Sequence, residues 1–366
     1  MENSNEEAFN EEVYRYYEEN KPDLSKVVTI AFIGKVSSGK SSLINAFFER
    51  GRDDAIAKVG ATSGVTTEVK FFKLNENVYI VDSPGLDDIK KENSEATERF
   101  LESIDIAIFV VSGSADKTQK VNFSGVKYKI PDTLFVLNKK DDFDDLDESG
   151  VDDVVTQWKT SVGVDQVFQT CAKGYDPKSR KDIPLRIEGV DALKAHVYKI
   201  LSEKKKDILL KKSMKDKRSA AISIAVTATL SAAGSSFIPA STVYITGIQM
   251  TALSSLVYLY TGEVLDKKSI VTIMFSMLGQ NVGKSIFIFF ASMFPGVDAV
   301  GAVVAATVTA AMLAAAISFL ESGKSLNDAA GFNDMYKKTY STVKSMLNVK
   351  DMTSEGFIER LFNKLV

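Results

Sequence analysis

The chain has 366 residues, 45% of them hydrophobic and 25% charged, which is enough for two domains that each bury a core. Its 45 basic and 48 acidic residues leave a net charge of −3, which argues against a protein built mainly to bind nucleic acid, so no DNA partner is expected. A single cysteine, Cys171, and a single histidine, His196, exclude a disulfide framework, a thiolate or His-rich metal site and Ser-His-Asp chemistry with a spare histidine.

The first 24 residues carry seven Glu and Asp23 against Arg15 and Lys21, with Phe9, Val13, Tyr16 and Tyr17 at helical spacing. A surface helix docking this stripe on the main domain accounts for the pattern, and a partner-binding arm is the other reading. The polar, acidic start is unlike a cleavable signal peptide, and a reducing, cytoplasmic setting is expected. From Val27 to about Ile200, strand and helix alternate. Val27–Ile33, Val69–Leu74, Val78–Val81, Ile104–Val111, Thr133–Leu137 and Gln166–Thr170 are short apolar, β-branched or aromatic runs. Helical stretches such as Ser41–Arg50, Glu95–Ser103, Val151–Val162 and Val190–Leu201 separate several of them, which predicts an α/β domain whose mostly parallel sheet is covered on both faces.

Residues 201–218 are expected as one charged linker helix, with eight basic residues against Glu203, Asp207 and Asp216. Charge then vanishes, because the 44 residues from Ser219 to Gly262 contain no Asp, Glu, Lys or Arg. Across 219–320 only Glu263, Asp266, Lys267, Lys268, Lys284 and Asp298 are charged. Breaks at Pro239, around Gly262–Lys268 and at Pro295-Gly296 predict four apolar helices. The end of the chain returns to amphipathic helix, with Phe332, Met335, Tyr336, Tyr340, Val343 and Leu347 on one side. The expected organisation is an acidic helix (1–25), an α/β domain (26–200), a basic linker helix (201–218), an apolar all-α domain (219–330) and C-terminal amphipathic helices (331–366).

Gly34-Lys-Val-Ser-Ser-Gly39-Lys40-Ser41 fits G-x-x-x-x-G-K-[ST] where a strand gives way to a helix. Backbone N–H groups of such a loop close around phosphates at a helix N-terminus, so Gly34, Ser37, Ser38, Gly39, Lys40, Ser41 and Ser42 are candidate nucleotide contacts. Lys40 would neutralise the β- and γ-phosphates, and the Ser41 hydroxyl would ligate Mg²⁺. Asp82-Ser-Pro-Gly85 follows another strand, so Asp82 can hold a magnesium-bound water and Gly85 N–H can meet the γ-phosphate. Asn138-Lys139-Lys140-Asp141 ends a third strand, and the Asp141 carboxylate can accept from guanine N1–H and N2–H₂, a pairing adenine cannot offer. Cys171-Ala172-Lys173 is placed to bring a backbone N–H to guanine O6. All of these lie at strand C-terminal ends, where open α/β sheets bind ligands.

These motifs resemble those of Era-like P-loop GTPases of the translation-factor-related class, which implies GTP and GDP as ligands and Mg²⁺ as cofactor. In that resemblance Ser63-Gly-Val-Thr-Thr67 stands for the segment whose threonine closes on Mg²⁺ and the γ-phosphate, with Thr66 favoured and Thr67 close behind. Lys40, Thr66 and Gly85 are then the catalytic candidates, and Ser41, Thr66 and Asp82 the metal candidates. The position that holds a water-orienting glutamine in Ras-like proteins is Leu86 here. The loop also resembles the dynamin type, with Ser37 where potassium-dependent relatives carry asparagine, but Val36 replaces the dynamin glutamine. Slow hydrolysis accelerated by G-domain dimerisation or a partner is the expectation.

Ser219–Ile238, Thr242–Tyr260 and Val300–Leu320 have about the length of spanning helices. Ser219, Ser223, Thr227, Ser231 and Ser235 fall at i+4 steps, as do Ala302, Ala306, Ala310, Ala314 and Ser318. Such stripes let helices approach closely in a membrane or in a tight soluble bundle. The lysines of 204–217 fit a cytoplasmic juxtamembrane segment or a solvated helix face. Lipid association on the cytoplasmic face is the leading expectation, a soluble bundle the alternative. Phe237-Ile-Pro-Ala-Ser, Thr246–Leu253 and Met293–Val297 resemble the poorly characterised helical domain that follows many bacterial Era-like G domains, and more distantly the immunity-related GTPases. These resemblances imply a GTP-hydrolysing switch controlling an oligomerising or membrane-associating domain. A ribosome- or RNA-associated assembly GTPase is the alternative.

Overall fold

The computed structural model describes residues 2–59, 70–83, 103–238, 241–277 and 299–366, with side chains from residue 7 onward. The chain divides into two compact units, Asp23–Lys215 and Met1–Pro22 together with Asp216–Val366.

In the first unit six strands form one sheet: β1 (Val28–Ile33), β2 (Lys70–Lys73), β3 (Val78–Ser83), β4 (Ile106–Val111), β5 (Thr133–Leu137) and β6 (Phe168–Gln169), in the order β2-β3-β1-β4-β5-β6. Only the β2–β3 pair is antiparallel. Every residue of β1 and β4 is buried, as expected of central strands with both faces covered. Alternation assigns the faces. Ala31 and Ile33 join a cluster with Phe109, Phe123, Phe135 and Trp158, whereas Phe32 meets Phe47 edge-on at 6.0 Å. Phe47 belongs to α2 (Lys40–Phe47); Phe123 and Trp158 belong to α3 (Lys117–Lys129) and α4 (Glu148–Val162). Trp158, fully buried, packs the helix layer on the sheet, and its indole N–H donates to Gly113 O at 2.8 Å. The sheet is followed by β7 (Cys171–Lys173), β8 (Arg186–Glu188), α5 (Val190–Glu203) and α6 (Asp207–Ser213). His196 on α5 is partly buried, its ring 5.3 Å from Phe168.

Three expectations about this unit are corrected. Residues 201–218 are not one helix: α5 ends at Glu203, Lys205 takes a left-handed φ of 56°, and Asp216 caps a new helix by accepting from Ser219 N at 3.0 Å. The basic side chains there are engaged rather than free, Lys204 with Asp132 (2.6 Å) and Lys206 with Asp105 (2.6 Å). The acidic stretch 141–153, expected from its composition as a solvated loop, is not simply a loop, because Asp147 caps α4 through Gly150 N at 2.8 Å. Cys171–Lys173 does not continue the last strand of the main sheet; β7 pairs antiparallel with β8 in a separate hairpin.

The second unit is all helical: α1 (Glu2–Asn20), α7 (Lys217–Ser235), α8 (Ser241–Thr261), α9 (Lys267–Met277), α10 (Ala299–Glu321), α11 (Ala329–Met346) and α12 (Glu355–Leu365). The acidic helix belongs to this unit and docks within it. Phe9, Val13 and Tyr17 are buried, Tyr17 OH meets Ser254 Oγ at 3.3 Å, and Tyr16 packs edge-on against Tyr244 of α8. Its acids are used as well, since Glu18 pairs with Lys267 of α9 at 3.1 Å. Phe332, Tyr336 and Val343 on α11, and Leu347 just after it, are buried as their spacing predicts.

α8 and α10 are long and apolar enough to cross a membrane, but 83% of each apolar window is buried inside this unit. The alanine stripe of α10 fits close helix contact, because Ala302, Ala306, Ala310 and Ala314 are fully buried. The hydroxyl stripe of α7 does the opposite. Ser219, Ser223, Thr227 and Ser231 face outward, while Ala221, Ala225, Ala228 and Ala232 face the bundle. A helix with no charge beyond its first two residues therefore still has a polar face, and hydroxyls also fold back on their own helices, as Thr229 does on Ala225 O at 2.8 Å. Pro239, Lys284, Asp298 and Pro295-Gly296 lie outside the described residues.

Candidate functional site

The site collects at the C-terminal ends of β1, β3, β5 and β6. Gly34 follows β1, where a Cβ would fall 2.0 Å from Val110 O, so only glycine lets the loop pass β4. Gly39 has a left-handed φ of 88°, and a Cβ there would strike Asn138 Nδ2 at 2.3 Å. Ser37, exposed at the loop tip, holds φ at 67°. Lys40 and Ser41 open α2. The buried Lys40 ammonium donates to Gly34 O (2.7 Å) and Lys35 O (3.1 Å), and burial holds its pKa below the ordinary lysine value despite nearby Asp82. Ser42 is half-buried on the first turn.

Ser41 Oγ donates to Asp82 Oδ2 at 2.8 Å, which brings the two described metal candidates together. Asp82 is 1% exposed and its Oδ1 has no hydrogen-bond partner among the described residues; Ser38 Oγ is likewise buried and unpartnered among them. A hydroxyl beside a carboxylate with a spare oxygen is a hard oxygen donor set, which fits Mg²⁺ held by few protein ligands. Thr66, Thr67, Gly85, Leu86, Asp87 and Asp88 lie outside the described residues.

On the base side, Asn138 joins two loops. Its Nδ2 donates to Ser38 O at 3.0 Å, and its Oδ1 accepts from Thr170 Oγ1 at 3.0 Å. Lys139 turns the chain with φ 61°, and its side chain lies along Gly39. Asp141 is gripped from the β7–β8 hairpin: Cys171 Sγ donates to Oδ1 (3.2 Å) and Lys173 Nζ sits 2.8 Å from Oδ2. Burial alone would raise the Asp141 pKa, but the Lys173 and Cys171 bonds outweigh it and hold the carboxyl below its ordinary range. Burial and the Asp141 carboxylate push the Cys171 thiol up to about 11. Ala172 lies between them in β7, half-buried and opposite Ile187.

Sequence reading passed over several residues of this cluster. Thr170 orients Asn138, Arg186 forks onto Asp144 and also meets Glu188, and Arg52 and Tyr175 brace the loop after β7. Thr170, immediately before Cys171, was the one with a positional signal; the others come from segments distant along the chain.

A phosphate-cradling loop, an adjacent hydroxyl–carboxylate pair and a base-side Asn/Asp motif on such a sheet define a P-loop GTPase domain, and the helices of the second unit accompany it. Residues 29–139 match the family model described as 50S ribosome-binding GTPase. The probable GTP-binding protein EngB of Clostridium beijerinckii is 40% identical over 76 residues, 21% of this chain and 37% of the relative. EngB of Syntrophus aciditrophicus is 32% identical over 123 residues, 31% of this chain and 61% of the relative. A crystal structure of a probable GTP-binding protein engB is 19% identical with a TM-score of 0.34, covering 48% of this chain and all of that one. The chain thus spans less than two thirds of these curated relatives.

Proposed function

We propose that the chain binds GTP and GDP with Mg²⁺, hydrolyses GTP slowly to GDP and phosphate, and uses the nucleotide state to control its helical unit. The observation that carries the reading is the double grip on Asp141 beside an Asn138 that is hydrogen-bonded into the phosphate loop. In this reading Asp141 accepts from guanine N1–H and N2–H₂ while Cys171–Lys173 border O6. Backbone N–H groups of Gly34–Ser42 cradle the phosphates, and Lys40 exchanges its loop carbonyls for phosphate oxygens. Ser41 and Asp82 hold Mg²⁺, which when bound neutralises charge between the β- and γ-phosphates. Thr66 and Gly85 are assigned to the γ-phosphate side by resemblance alone. The EngB relatives, named as probable GTP-binding proteins, support the ligand.

The helical unit is proposed to act in oligomerisation or lipid association at the cytoplasmic face, in the manner of dynamin-like switches, with the G domain as a dimer contact. Two apolar helices of spanning length support it, and their burial inside the bundle makes nucleotide-dependent exposure the form to test. Phosphate release from GTP, measured across protein concentrations, tests the enzyme. Turnover that is fast and independent of concentration would count against dimer stimulation. Flotation with liposomes in the absence of nucleotide, with GDP and with a non-hydrolysable GTP analogue tests the second part, and no flotation in any state would leave a soluble bundle. A ribosome-associated assembly GTPase is the second reading, favoured by the description of the matching family. Salt-sensitive sedimentation with ribosomal subunits would support it.

A further inference from the structure

The β7–β8 hairpin touches the base motif at one end and is tied to a different part of the domain at the other. The chain leaving α2 turns at Glu49, with φ 58°, and runs back past the loop that follows β7. There Arg52 spends its guanidinium on three carbonyls of that loop: Nε on Gly174 O (2.7 Å), Nη1 on Lys181 O (3.2 Å) and Nη2 on Ile183 O (2.6 Å). Tyr175, buried in the same loop, donates its hydroxyl to Arg50 O at 2.7 Å. The strut is itself fixed. Fully buried Asn45 of α2 donates to Ala57 O (2.8 Å) and accepts from Ala57 N (2.9 Å), pinning the far side of the Arg52 segment to the phosphate-loop helix.

Nothing in the chemistry of phosphate binding requires this arrangement. An arginine fork matched to three carbonyls is a geometric device: a planar donor set fixes the loop in position and angle, which a lysine ammonium cannot do. What the loop carries is β7, whose Cys171 and Lys173 orient the two oxygens of Asp141. We propose that Arg52 is a positioning residue for guanine recognition. It holds the hairpin so that the Asp141 carboxylate stays aimed at the base, and Tyr175 assists it. The inference rests on the GTP-binding reading above and assigns the base selectivity of that site to a residue outside its motifs.

The test compares GDP with IDP, which lacks the exocyclic amine that the Asp141 carboxylate takes, by calorimetry on the full chain. Absence of GDP binding by the unaltered protein overturns the underlying reading and the proposal together. With GDP bound normally, Arg52→Ala is expected to weaken GDP about tenfold, the loss that follows a few charge-assisted hydrogen bonds. IDP should weaken much less, so the GDP-to-IDP ratio shrinks several-fold, and Arg52→Lys should fall between. A brace with a merely structural role would lower both nucleotides in proportion, and that result, or unchanged GDP affinity, overturns the proposal. If Arg52→Ala does not fold, Tyr175→Phe removes only the hydroxyl to Arg50 O. A smaller loss with the same shrinking ratio supports the proposal there, and an unchanged ratio overturns it.

Discussion

Truncating Asn138 should damage the domain in a way that a second substitution partly repairs. The side chain is 1% exposed and serves Ser38 O and Thr170 Oγ1 at once, and both partner residues are fully buried. Asn138→Ala leaves a carbonyl and a hydroxyl without partners away from water. At about 1–3 kcal/mol for each orphaned group, the expected loss is about 2–6 kcal/mol. Thr170→Val preserves shape and orphans only the Asn138 carbonyl oxygen, for a loss of about 1–3 kcal/mol. In the double variant neither the Thr170 hydroxyl nor the Asn138 oxygen is there to be orphaned, so the combined loss should fall short of the sum by at least about 2 kcal/mol. Denaturant unfolding followed by Trp158 fluorescence is the assay. Trp158 is the only tryptophan and is buried in the α/β unit, so the signal isolates that unit from the helical one. Additivity within about 0.3 kcal/mol would refute the bridging role.

Three other expectations follow from the same geometry. The Asp141 carboxyl is held below its ordinary range in the folded protein, so its contribution is present above the unfolded value of about 3.9 and is lost only as pH falls through the lower folded one. GDP binding should therefore be retained at about pH 5, whereas Asp141→Asn should weaken GTP selectively; undiminished guanine preference in that variant would sink the base assignment. Cys171, fully buried with its pKa raised to about 11, should resist a disulfide reagent at about pH 8 until the protein unfolds, when one equivalent reacts; rapid native labelling would contradict the burial. At Gly247 of α8 a Cβ would fall 2.3 Å from Tyr16 Cδ1, so Gly247→Ala should push α1 off its seat at a cost of about 1–3 kcal/mol. Faster proteolysis of the N-terminal segment checks this, and an unaltered rate would show that Tyr16 swings aside freely.

The local parts of this protein are legible along the chain. Gly34–Ser41, Asp82 and Asn138–Asp141 each need only a few consecutive residues at the end of an apolar strand, and strand-end placement follows from the α/β alternation that the same text displays. Burial on both faces is likewise visible as an unbroken apolar run in β4 and as one interrupted only by Thr29 in β1. What tertiary structure decided are the pairings between distant segments. Thr170 on Asn138, Arg52 on the loop after β7 and the docking of α1 against α8 join residues whose separation in sequence carries no periodic signal. The helical unit makes the point most sharply. A stripe of small residues at i+4 marks one helix face, yet composition alone does not say which face is inside. In α10 the stripe is alanine and buried among neighbours, whereas in α7 it is hydroxyl-bearing and faces outward, because the alanines on the opposite side offer the closer helix approach.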